Sequence, residues 1–207
     1  MEISKLGTHS VCPDMINPAG WSMDVGCRGF AFTRLLQALC SNVLGVDPDP
    51  TMEDPGIPGI TYVQKALLSK PRESIPYAMW STGEGNFCTE VKIPHYASSL
   101  SVPCITLQDL MAEHSVSTFE VIKLDCAGAE YELLVNWPGA VAKQISVEYH
   151  DFTGVYDKDT TQDYHDRIEA HLSQWYTAVQ HEETHLLNDP KRPRNFWDSL
   201  YVLKEQE

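Results

Sequence analysis

Apolar and polar positions between residues 21 and 50 form a pattern that predicts two buried strands with a turn and a helix between them. The strands are predicted at residues 21–25 and 43–46, and the amphipathic helix at about residues 30–40. A glycine turn at residues 26–29 joins the first strand to the helix. This order of elements is typical of a parallel α/β sheet.

The glycine turn and the acid after the second strand predict a ligand site. Gly26 and Gly29 let the backbone turn tightly and approach a ligand where a Cβ would intrude. The N-terminal amides of the following helix then face that ligand. Asp47 follows the second strand about 20 residues after the turn, where doubly wound nucleotide-binding folds place an acid that binds ribose hydroxyls.

The rest of the chain alternates strands with helices, which predicts an α/β fold with a mostly parallel sheet between helical layers. Residues 1–20 are predicted to be an irregular lead-in with one short helical turn at most, and residues 21–207 a single domain. Residues 51–60 are rich in Pro and Gly and are predicted to form a loop. Further strands are predicted at residues 61–69, 75–80, 119–125, 144–151, 176–181 and 199–204, and further helices at residues 105–114, 127–139 and 160–176.

Composition narrows the class of protein. The 15 basic and 29 acidic residues give a net charge of -14, which argues against general nucleic-acid binding. No apolar run approaches the roughly 20 residues that span a bilayer, and the first residues carry no apolar segment of a secretory signal. The 6 cysteines form no C-x-x-C pair and are expected to be reduced thiols. These observations predict a cytoplasmic enzyme that does not bind membranes.

Carboxylates follow several of the predicted strands. Asp24, Asp47, Asp125 and Glu148 fall at strand ends, and Asp151 follows closely. Because ligands of open α/β sheets bind outside the carboxyl ends of the strands, these acids are predicted to collect at one site. Any single one of them is also compatible with a plain exposed acid at the start of a loop.

Two groups of motifs carry a resemblance to known proteins. The turn G-C-R-G-F-A lacks the middle glycine of the dinucleotide fingerprint. With D-V-G before it and V-D-P-D-P after the second strand, it resembles the S-adenosylmethionine site of class I methyltransferases. The run F-E-V-I-K-L-D-C-A-G-A-E, preceded by V-P-C-I-T-L-Q-D-L and followed by I-S-V-E-Y-H-D, resembles the FkbM-type methyltransferases.

This resemblance covers about residues 20–150 and implies fold, cofactor and reaction. The implied fold is the Rossmann-like class I methyltransferase fold, a mostly parallel seven-stranded sheet with helices on both faces and an antiparallel closing strand. The implied cofactor is S-adenosylmethionine, and the implied reaction is methylation of a hydroxyl oxygen on a small molecule or saccharide. Ala127 departs from the pattern, because the family usually has Glu there.

The cofactor site is predicted from the turn, the acids and the resemblance together. Asp47 is expected to bind the ribose, and Asp24 to anchor the turn or approach the amino-acid end of the cofactor. Arg28 is expected to pair either with the cofactor carboxylate or with a neighbouring acid. Lys65 and Ala66 are candidates for the edge of the adenine, with core packing as the alternative for Ala66. The full predicted set is Asp24, Gly26, Arg28, Gly29, Phe30, Asp47, Pro48, Lys65, Ala66 and Asp125.

Asp125, Glu148 and His150 are the predicted catalytic residues. Asp125 is expected to lie where methyl donor and acceptor meet. Glu148 and His150 alternate on one strand face, and His150 is a candidate general base, with a structural histidine as the alternative. Glu148 could orient His150 or help Asp125 hold a divalent cation. Lys123 shares the strand face of Asp125 and is expected to neutralise it.

Glu130 and two further motifs are assigned structural or surface roles rather than catalytic ones. Glu130, in the first turn of its helix, is interpreted as an acid favoured by the helix dipole. The run H-E-E-T-H at residues 181–185 matches the zinc-protease motif, but that motif needs a helix and this run follows a predicted strand. The basic run K-R-P-R at residues 191–194 is interpreted as a solvated loop.

The sequence is also compatible with other functions. A protein that keeps the cofactor pocket without turnover is suggested by Ala127, and a dinucleotide oxidoreductase is disfavoured by the missing glycine. The loop at residues 81–86 is compatible with a lid that closes over substrate or with a plain connection.

Overall fold

The computed structural model of this protein describes residues 1–77, 100–151, 158–184 and 195–205. The predicted loop at residues 81–86 and the basic run at residues 191–194 lie outside the described residues. The strands are β1 (Ser4–Leu6), β2 (His9–Val11), β3 (Trp21–Val25), β4 (Asn42–Val46), β5 (Ile60–Val63), β6 (Ala66–Leu68), β7 (Ser74–Tyr77), β8 (Leu100–Thr106), β9 (Phe119–Leu124), β10 (Ala142–Asp151), β11 (Tyr176–Thr184) and β12 (Asn195–Leu203). The α-helices are α1 (Ala31–Gln37), α2 (Leu107–Glu113), α3 (Ala129–Val135) and α4 (Lys158–Leu172).

The main sheet has seven strands in the order β11-β12-β10-β9-β3-β4-β5. The pairs from β10 through β9, β3 and β4 to β5 are parallel. Strand β12 runs antiparallel to both of its neighbours, β10 and β11. The predicted α/β class, with a mostly parallel seven-stranded sheet and an antiparallel closing strand, is therefore confirmed.

Helices pack on both faces of this sheet because neighbouring residues of each strand point to opposite sides. Val43 and Val121 face one side, where they pack with Leu36 of α1. Leu44 and Ile122, one position further along, face the other side. There the apolar residues of α2, α3 and α4 cover the sheet, among them Leu110, Tyr131, Leu134, Ile168 and Leu172. Among the described helices, none has the length and apolarity required to cross a bilayer.

Strand β3 lies at the point where the strand order reverses. The chain runs outward from β3 to β4 and β5, and then returns to β9 on the other side of β3. Such a switch point opens a crevice outside the carboxyl ends of the strands, where α/β proteins bind their ligands. The predicted glycine turn and Asp125 follow the two strands that flank this crevice.

The predicted third strand at residues 61–69 is wrong, because the chain breaks there into two strands that join different sheets. β5 pairs with β4 in the main sheet, whereas β6 pairs with β8 in a three-stranded sheet of order β6-β8-β7. The strand predicted at residues 75–80 corresponds to β7 over its described part. Strand β8 also takes the first two residues of the helix predicted at 105–114. α2 begins only after Thr106, whose Oγ1 accepts a hydrogen bond from the backbone N of Asp109 at 3.1 Å and caps the helix.

Helix ends differ from the prediction for local reasons. α1 ends at Gln37 rather than near residue 40, as the backbone N atoms of Leu39 and Cys40 both bond to the carbonyl of Leu36. α3 begins at Ala129 rather than at residue 127, because Ala127 and Gly128 have φ of 51° and 101°. Such left-handed backbone is incompatible with a right-handed helix.

The predicted irregular lead-in has the one short helical turn, a 3₁₀ helix at Pro13–Met15, but it also contains a β-hairpin that was not predicted. β1 and β2 pair with Leu6 opposite His9, so that Gly7 and Thr8 form a two-residue turn. The side chain of Gln144 in β10 holds the end of this hairpin. Gln144 Oε1 accepts from the backbone N of Cys12 at 2.6 Å, and Gln144 Nε2 donates to its carbonyl at 3.0 Å. The hairpin thus lies against the main sheet.

Candidate active site

The glycine turn begins at the end of β3, in close contact with the residue that follows β9. Gly26 has φ of 78°, and a Cβ built on it would lie 1.8 Å from the carbonyl oxygen of Asp125. Its backbone N donates to the carbonyl of Val46 at 2.9 Å, which ties the turn to β4 as well. No residue other than glycine fits here without moving β9. The contact with the Asp125 carbonyl by itself explains why glycine is required at position 26, and the approach of Gly26 to a ligand stays a prediction.

The second half of the turn is open on its outer side. Gly29 has φ of 71°, and a Cβ built on it meets no atom of the described residues within 4 Å. Arg28 is exposed beside it. Phe30 is buried instead, and its ring packs edge-on against Tyr62 with centroids 5.2 Å apart. Phe30 therefore packs on the inner side of the turn, while Gly29 and Arg28 are on its exposed side.

Asp47 is a buried carboxylate at the carboxyl end of β4. It is 6% exposed, and its Oδ1 accepts a hydrogen bond from the backbone N of Asp49 at 2.9 Å. Burial, together with the neighbouring carboxylates of Asp49 and Asp24, raises the pKa of Asp47 to about 6, although the Asp49 amide and Lys123 oppose the shift. The carboxylate would gain from further hydrogen-bond donors.

The loop after Asp47 is held by side chains from the adjacent edge of the sheet. The hydroxyl of Tyr62 donates to the carbonyl of Asp47 at 3.1 Å, and Gln64 Nε2 donates to the carbonyl of Asp49 at 2.9 Å. The carboxylate of Asp49 accepts from the backbone N of Thr51 at 2.8 Å. Pro48, from the predicted cofactor set, is half-buried in this loop. The position of Asp47 is thus fixed by backbone and side-chain contacts.

Lys123 is buried between the glycine turn and Asp125. Its Nζ lies 2.9 Å from Asp24 Oδ1 and 3.3 Å from Asp125 Oδ2, and it donates to the carbonyl of Gly26 at 3.1 Å. Burial alone would lower the pKa of Lys123, but the two carboxylates outweigh it and raise the pKa. Asp24 also accepts from Thr33 Oγ1 at 2.7 Å. Asp24 is fully buried in this network and anchors the turn.

Asp125 lies at the mouth of the crevice, with its side chain 32% exposed. His150 Nε2 lies 3.4 Å from its Oδ1, and His9 Nε2 lies 3.7 Å from its Oδ2. Burial alone would raise the pKa of Asp125, but Lys123 and the two imidazoles outweigh this effect and hold it well below the usual range. Asp125 therefore remains a carboxylate across the physiological range of pH.

His150 is fixed from behind by Glu130. The backbone N of His150 donates to Glu130 Oε1 at 2.8 Å, and its Nδ1 lies 3.1 Å from the same oxygen. Nε2 then points towards Asp125 and Glu148. Burial lowers the pKa of His150, but Glu130, Asp125 and Glu148 together raise it to about 9. At neutral pH the imidazole is therefore a cation among three carboxylates, which disfavours its candidate role as a general base.

Glu148 lies beside Asp125 because β10 and β9 are in register. Val147 pairs with Leu124, so that Glu148 and Asp125 follow at the same level of the sheet. Glu148 Oε2 is 3.9 Å from His150 Nε2. Burial and the charge of Asp125 raise the pKa of Glu148 to about 7, while His150 opposes the shift. The three predicted catalytic residues, Asp125, Glu148 and His150, are thus brought together.

Two of the predicted cofactor residues, Lys65 and Ala66, follow the carboxyl end of β5. Ala66 is 1% exposed and belongs to the core of the three-stranded sheet, with Leu68 and Val102. Its alternative role in core packing is therefore the one that its surroundings favour. Lys65 pairs with Glu113 at 3.3 Å and lines an open cavity of about 440 Å³ beside α2.

The H-E-E-T-H run does not form a protease helix over its described part. Residues 181–184 belong to β11, and His181 Nδ1 lies 2.6 Å from Ser199 Oγ of β12. His185 lies outside the described residues. Because a zinc-protease motif needs its histidines one helical turn apart on a helix, the strand removes that interpretation.

Two residues of the site were not predicted as such. His9 of the hairpin is 1% exposed and packs edge-on against Phe32, with ring centroids 5.0 Å apart. Glu130, interpreted as a dipole-favoured acid, is fully buried and also accepts from the backbone N of Gly128 at 2.7 Å. A hairpin turn around Gly7 would have been a usable signal for β2, but nothing local to residue 9 indicates its contact with Asp125.

The sequence of this chain matches one known family. The family described as the methyltransferase FkbM domain matches residues 30–176, and the chain therefore belongs to the FkbM methyltransferase family. The predicted resemblance to that family is confirmed, and the chain is a methyltransferase domain of the α/β class. The match begins at Phe30, directly after the glycine turn. No curated protein matches the chain.

Several solved structures are similar in fold at low sequence identity. A candidate hemolysin from Streptococcus thermophilus is 8% identical, with a TM-score of 0.53 over 93% of this chain and 62% of that chain. An rRNA methylase from the same species is 12% identical, with a TM-score of 0.47 over 93% and 92%. The N-methyltransferase NodS of Bradyrhizobium japonicum WM9, solved with S-adenosylhomocysteine, is 10% identical, with a TM-score of 0.41 over 91% and 80%.

Proposed function

We propose that this protein is an S-adenosylmethionine-dependent methyltransferase that methylates a hydroxyl oxygen of a small molecule or saccharide. The observation that carries the proposal is the buried Asp47 carboxylate at the carboxyl end of β4, next to a glycine turn with open space at Gly29. Family membership supplies the class of reaction, and the carboxylates at the mouth favour a hydroxyl-bearing acceptor.

The residues around the turn fit the cofactor. Ribose hydroxyls are hydrogen-bond donors of the kind that the buried carboxylate of Asp47 would gain from. Arg28 is exposed beside Gly29 and is available to a carboxylate such as the one on the cofactor's amino-acid end. When bound, S-adenosylmethionine supplies an activated methyl group on a cationic sulfur. Asp125, a partly exposed carboxylate across the crevice, suits a cationic neighbour.

The acceptor half of the site consists of Asp125, Glu148 and His150. Their oxygens and Nε2 converge at the partly exposed mouth of the crevice, with Asp125 Oδ1 3.4 Å from His150 Nε2. Carboxylates accept hydrogen bonds from hydroxyls, so that several of them at one mouth favour a polyhydroxylated acceptor over an apolar one. We assign the departing hydroxyl proton to Glu148, whose pKa of about 7 suits a base near neutral pH, and the orientation of the acceptor to Asp125 and His150.

Binding and turnover are tested separately. Calorimetry with S-adenosylhomocysteine should give saturable binding to the wild-type protein and no comparable binding of NAD. Asp47→Ala should weaken that binding by about 1.5–3 kcal/mol, the scale of a hydrogen bond to a charged group. Asp54→Ala is the matched control, because Asp54 is an exposed acid of the same loop that bonds to the backbone N of Gly56. Equal affinities of all three proteins would refute Asp47 as the ribose ligand.

Turnover is measured as transfer of a labelled methyl group to sugar, polyketide and phenolic hydroxyls. Glu148→Gln should keep the affinity for S-adenosylhomocysteine and lower the rate about 10²–10⁴-fold, the usual contribution of general acid–base catalysis. His150→Ala should also keep this affinity and lower the rate, because it removes the imidazole that lies between Asp125 and Glu148. A second candidate function, cofactor binding without turnover, is favoured by Ala127, which replaces the usual Glu on a turn that borders Asp125. Tight cofactor binding with no methyl transfer to any acceptor would support that second function.

A further inference from the structure

Three side chains from distant parts of the sequence bring metal-binding atoms together at the mouth of the crevice. They are His9 of the hairpin, Asp125 after β9 and Glu148 of β10, each with one donor atom within 4.8 Å of the other two. A nitrogen and two carboxylate oxygens form a mixed donor set, which suits divalent ions. The set includes a residue that neither the sequence pattern nor the proposed methyl transfer uses.

The ring of His9 points its Nε2 into this group, near Asp125 but without a hydrogen bond to a described residue. His9 is 1% exposed, and its Nε2 has no hydrogen-bond partner within the described ranges of the chain. This atom lies 3.7 Å from Asp125 Oδ2, beyond hydrogen-bond distance but facing the carboxylate. A buried polar atom without a partner is costly, and an ion is one of the few groups that can satisfy it.

Both imidazoles beside Asp125 are held at their other nitrogen. His9 Nδ1 lies 3.5 Å from Ser146 Oγ, and His150 Nδ1 lies 3.1 Å from Glu130 Oε1. Histidines that bind metals are commonly held in this way, with one ring nitrogen on a protein oxygen and the other on the metal. The Nε2 atoms of both rings are thereby directed at Asp125.

The carboxylates of this cluster are not equally compensated by basic groups. Lys123 is shared between Asp24 and Asp125, and it lies closer to Asp24, at 2.9 Å against 3.3 Å. Glu130 is satisfied by His150 and by the backbone N of Gly128. Glu148 lies farther from a cationic group, 3.9 Å from His150 Nε2. Glu148 is therefore the less compensated of the two carboxylates.

We propose that His9, Asp125 and Glu148 bind a divalent transition-metal ion, through His9 Nε2 and one oxygen from each carboxylate. The imidazole favours ions such as Zn²⁺ or Mn²⁺ over Mg²⁺, which prefers oxygen ligands alone. Donors about 2.1 Å from one ion lie at most about 4.2 Å apart, so that the three side chains close slightly around it. The 32% exposure of the Asp125 side chain leaves the ion open to solvent or to a ligand.

The ion also has a role in the reaction, and this role rests on the proposed function. An ion at the mouth of the crevice would contact an acceptor hydroxyl beside Asp125 and lower its pKa, which favours loss of the proton before methyl transfer. With Glu148 bound to the ion, this proton passes to solvent at the exposed mouth instead of to Glu148. Binding of the ion itself does not depend on this reaction. It can be measured on the protein without cofactor or acceptor.

The experiment is a titration of the full-length, tag-free protein with ZnCl₂, MnCl₂ and MgCl₂. Calorimetry should give one Zn²⁺ per chain, and the electron paramagnetic resonance of Mn²⁺ should broaden on binding and recover on addition of Zn²⁺. Affinity should increase from Mn²⁺ to Zn²⁺, and Mg²⁺ should bind most weakly. Glu148→Gln, which preserves shape, should weaken Zn²⁺ binding at least tenfold, and His9→Ala should do the same.

His114→Ala is the matched control. His114 Nε2 is also buried without a hydrogen-bond partner among the described residues, but its ring packs near Trp21, at the start of β3 and away from the crevice. This variant should bind Zn²⁺ like the wild type. The site would be overturned if the wild type showed no saturable Zn²⁺ binding. It would also be overturned if the His9 and Glu148 variants bound Zn²⁺ as tightly as the wild type. Calorimetry with S-adenosylhomocysteine on the same samples shows that the variants are folded, and its failure on the wild type would refute the proposed function instead.

Discussion

Glu130 and His150 are joined by two contacts at a single oxygen. Glu130 Oε1 accepts the backbone N of His150 at 2.8 Å and lies 3.1 Å from its Nδ1. Glu130 Oε2 accepts the backbone N of Gly128 at 2.7 Å, and the residue is fully buried. One carboxylate thus connects the start of α3 to the end of β10 and sets the direction in which His150 Nε2 points.

Glu130 is therefore a positioning residue, and replacing it should affect turnover more than binding. Glu130→Gln keeps the size of the side chain but weakens its two contacts with His150. We expect kcat to fall about 10–100-fold, the scale for a residue that orients a functional histidine, with unchanged affinity for S-adenosylhomocysteine. Glu132→Gln on the same helix is the control, because Glu132 bonds to Tyr164 instead. Steady-state kinetics that match the wild type in both variants would leave Glu130 a purely structural role.

Lys123 should contribute more to stability than any exposed ion pair of the chain. Lys123→Met leaves the buried carboxylate of Asp24 without its counterion, which costs about 3–5 kcal/mol in the free energy of unfolding. Arg167→Met breaks the exposed pair with Asp163, whose side chains are 56% and 66% exposed, and should cost less than about 0.5 kcal/mol. Urea unfolding of the two variants measures the difference. A similar loss in both would mean that the buried network is not strongly coupled.

The two glycines of the turn should respond differently to the same substitution. Gly26→Ala places a Cβ 1.8 Å from the Asp125 carbonyl, which no side-chain rotation can relieve, so that β3 and β9 must separate. Gly29→Ala meets no described atom within 4 Å and costs only its left-handed backbone, about 1–2 kcal/mol. Thermal unfolding should therefore show a much larger loss for Gly26→Ala. Equal losses would indicate that the strand contact relaxes easily.

The parts of the site that follow local patterns could be predicted from the sequence. Alternation along β9 puts Lys123 and Asp125 on one face, and parallel register then brings Asp24 beside Lys123 and Glu148 beside Asp125. The turn and Asp47 were identified because glycine placement and a strand-terminal acid are local features. These elements define the sheet and the crevice.

The remaining parts depend on contacts that no local pattern contains. His9 reaches the site from a hairpin held by Gln144, which is 132 residues away from Cys12 in sequence. Glu130 was assigned to the helix dipole, because only the tertiary structure places it under His150. The break after Val63 was missed for the same reason, since the choice between β4 and β8 as partner is made by packing rather than by composition.

The raised pKa of Asp47 predicts how the stability of the free protein depends on pH. Its pKa is about 6 in the folded state against 3.8 ordinarily, so that the folded state binds the proton more tightly than the unfolded state. The contribution of Asp47 is therefore most favourable below about pH 4 and is lost as pH rises to about 6, by up to about 3 kcal/mol. Asp47→Asn should remove this component. Urea unfolding of both proteins between these values measures it, and parallel profiles would contradict the assignment.

Cofactor affinity should show the opposite dependence on pH. Ribose hydroxyls donate to the ionised carboxylate of Asp47, so that a ligand must displace its proton below the free-state pKa of about 6. We expect the affinity of the wild-type protein for S-adenosylhomocysteine to be constant above about pH 7 and to fall towards tenfold per pH unit below the pKa of Asp47. Asp47→Asn should bind more weakly throughout and lose this slope, while Asp54→Asn should retain it. Calorimetry from pH 5 to 8 distinguishes these outcomes, and a wild-type affinity that stays constant over the whole range would place the ribose away from Asp47.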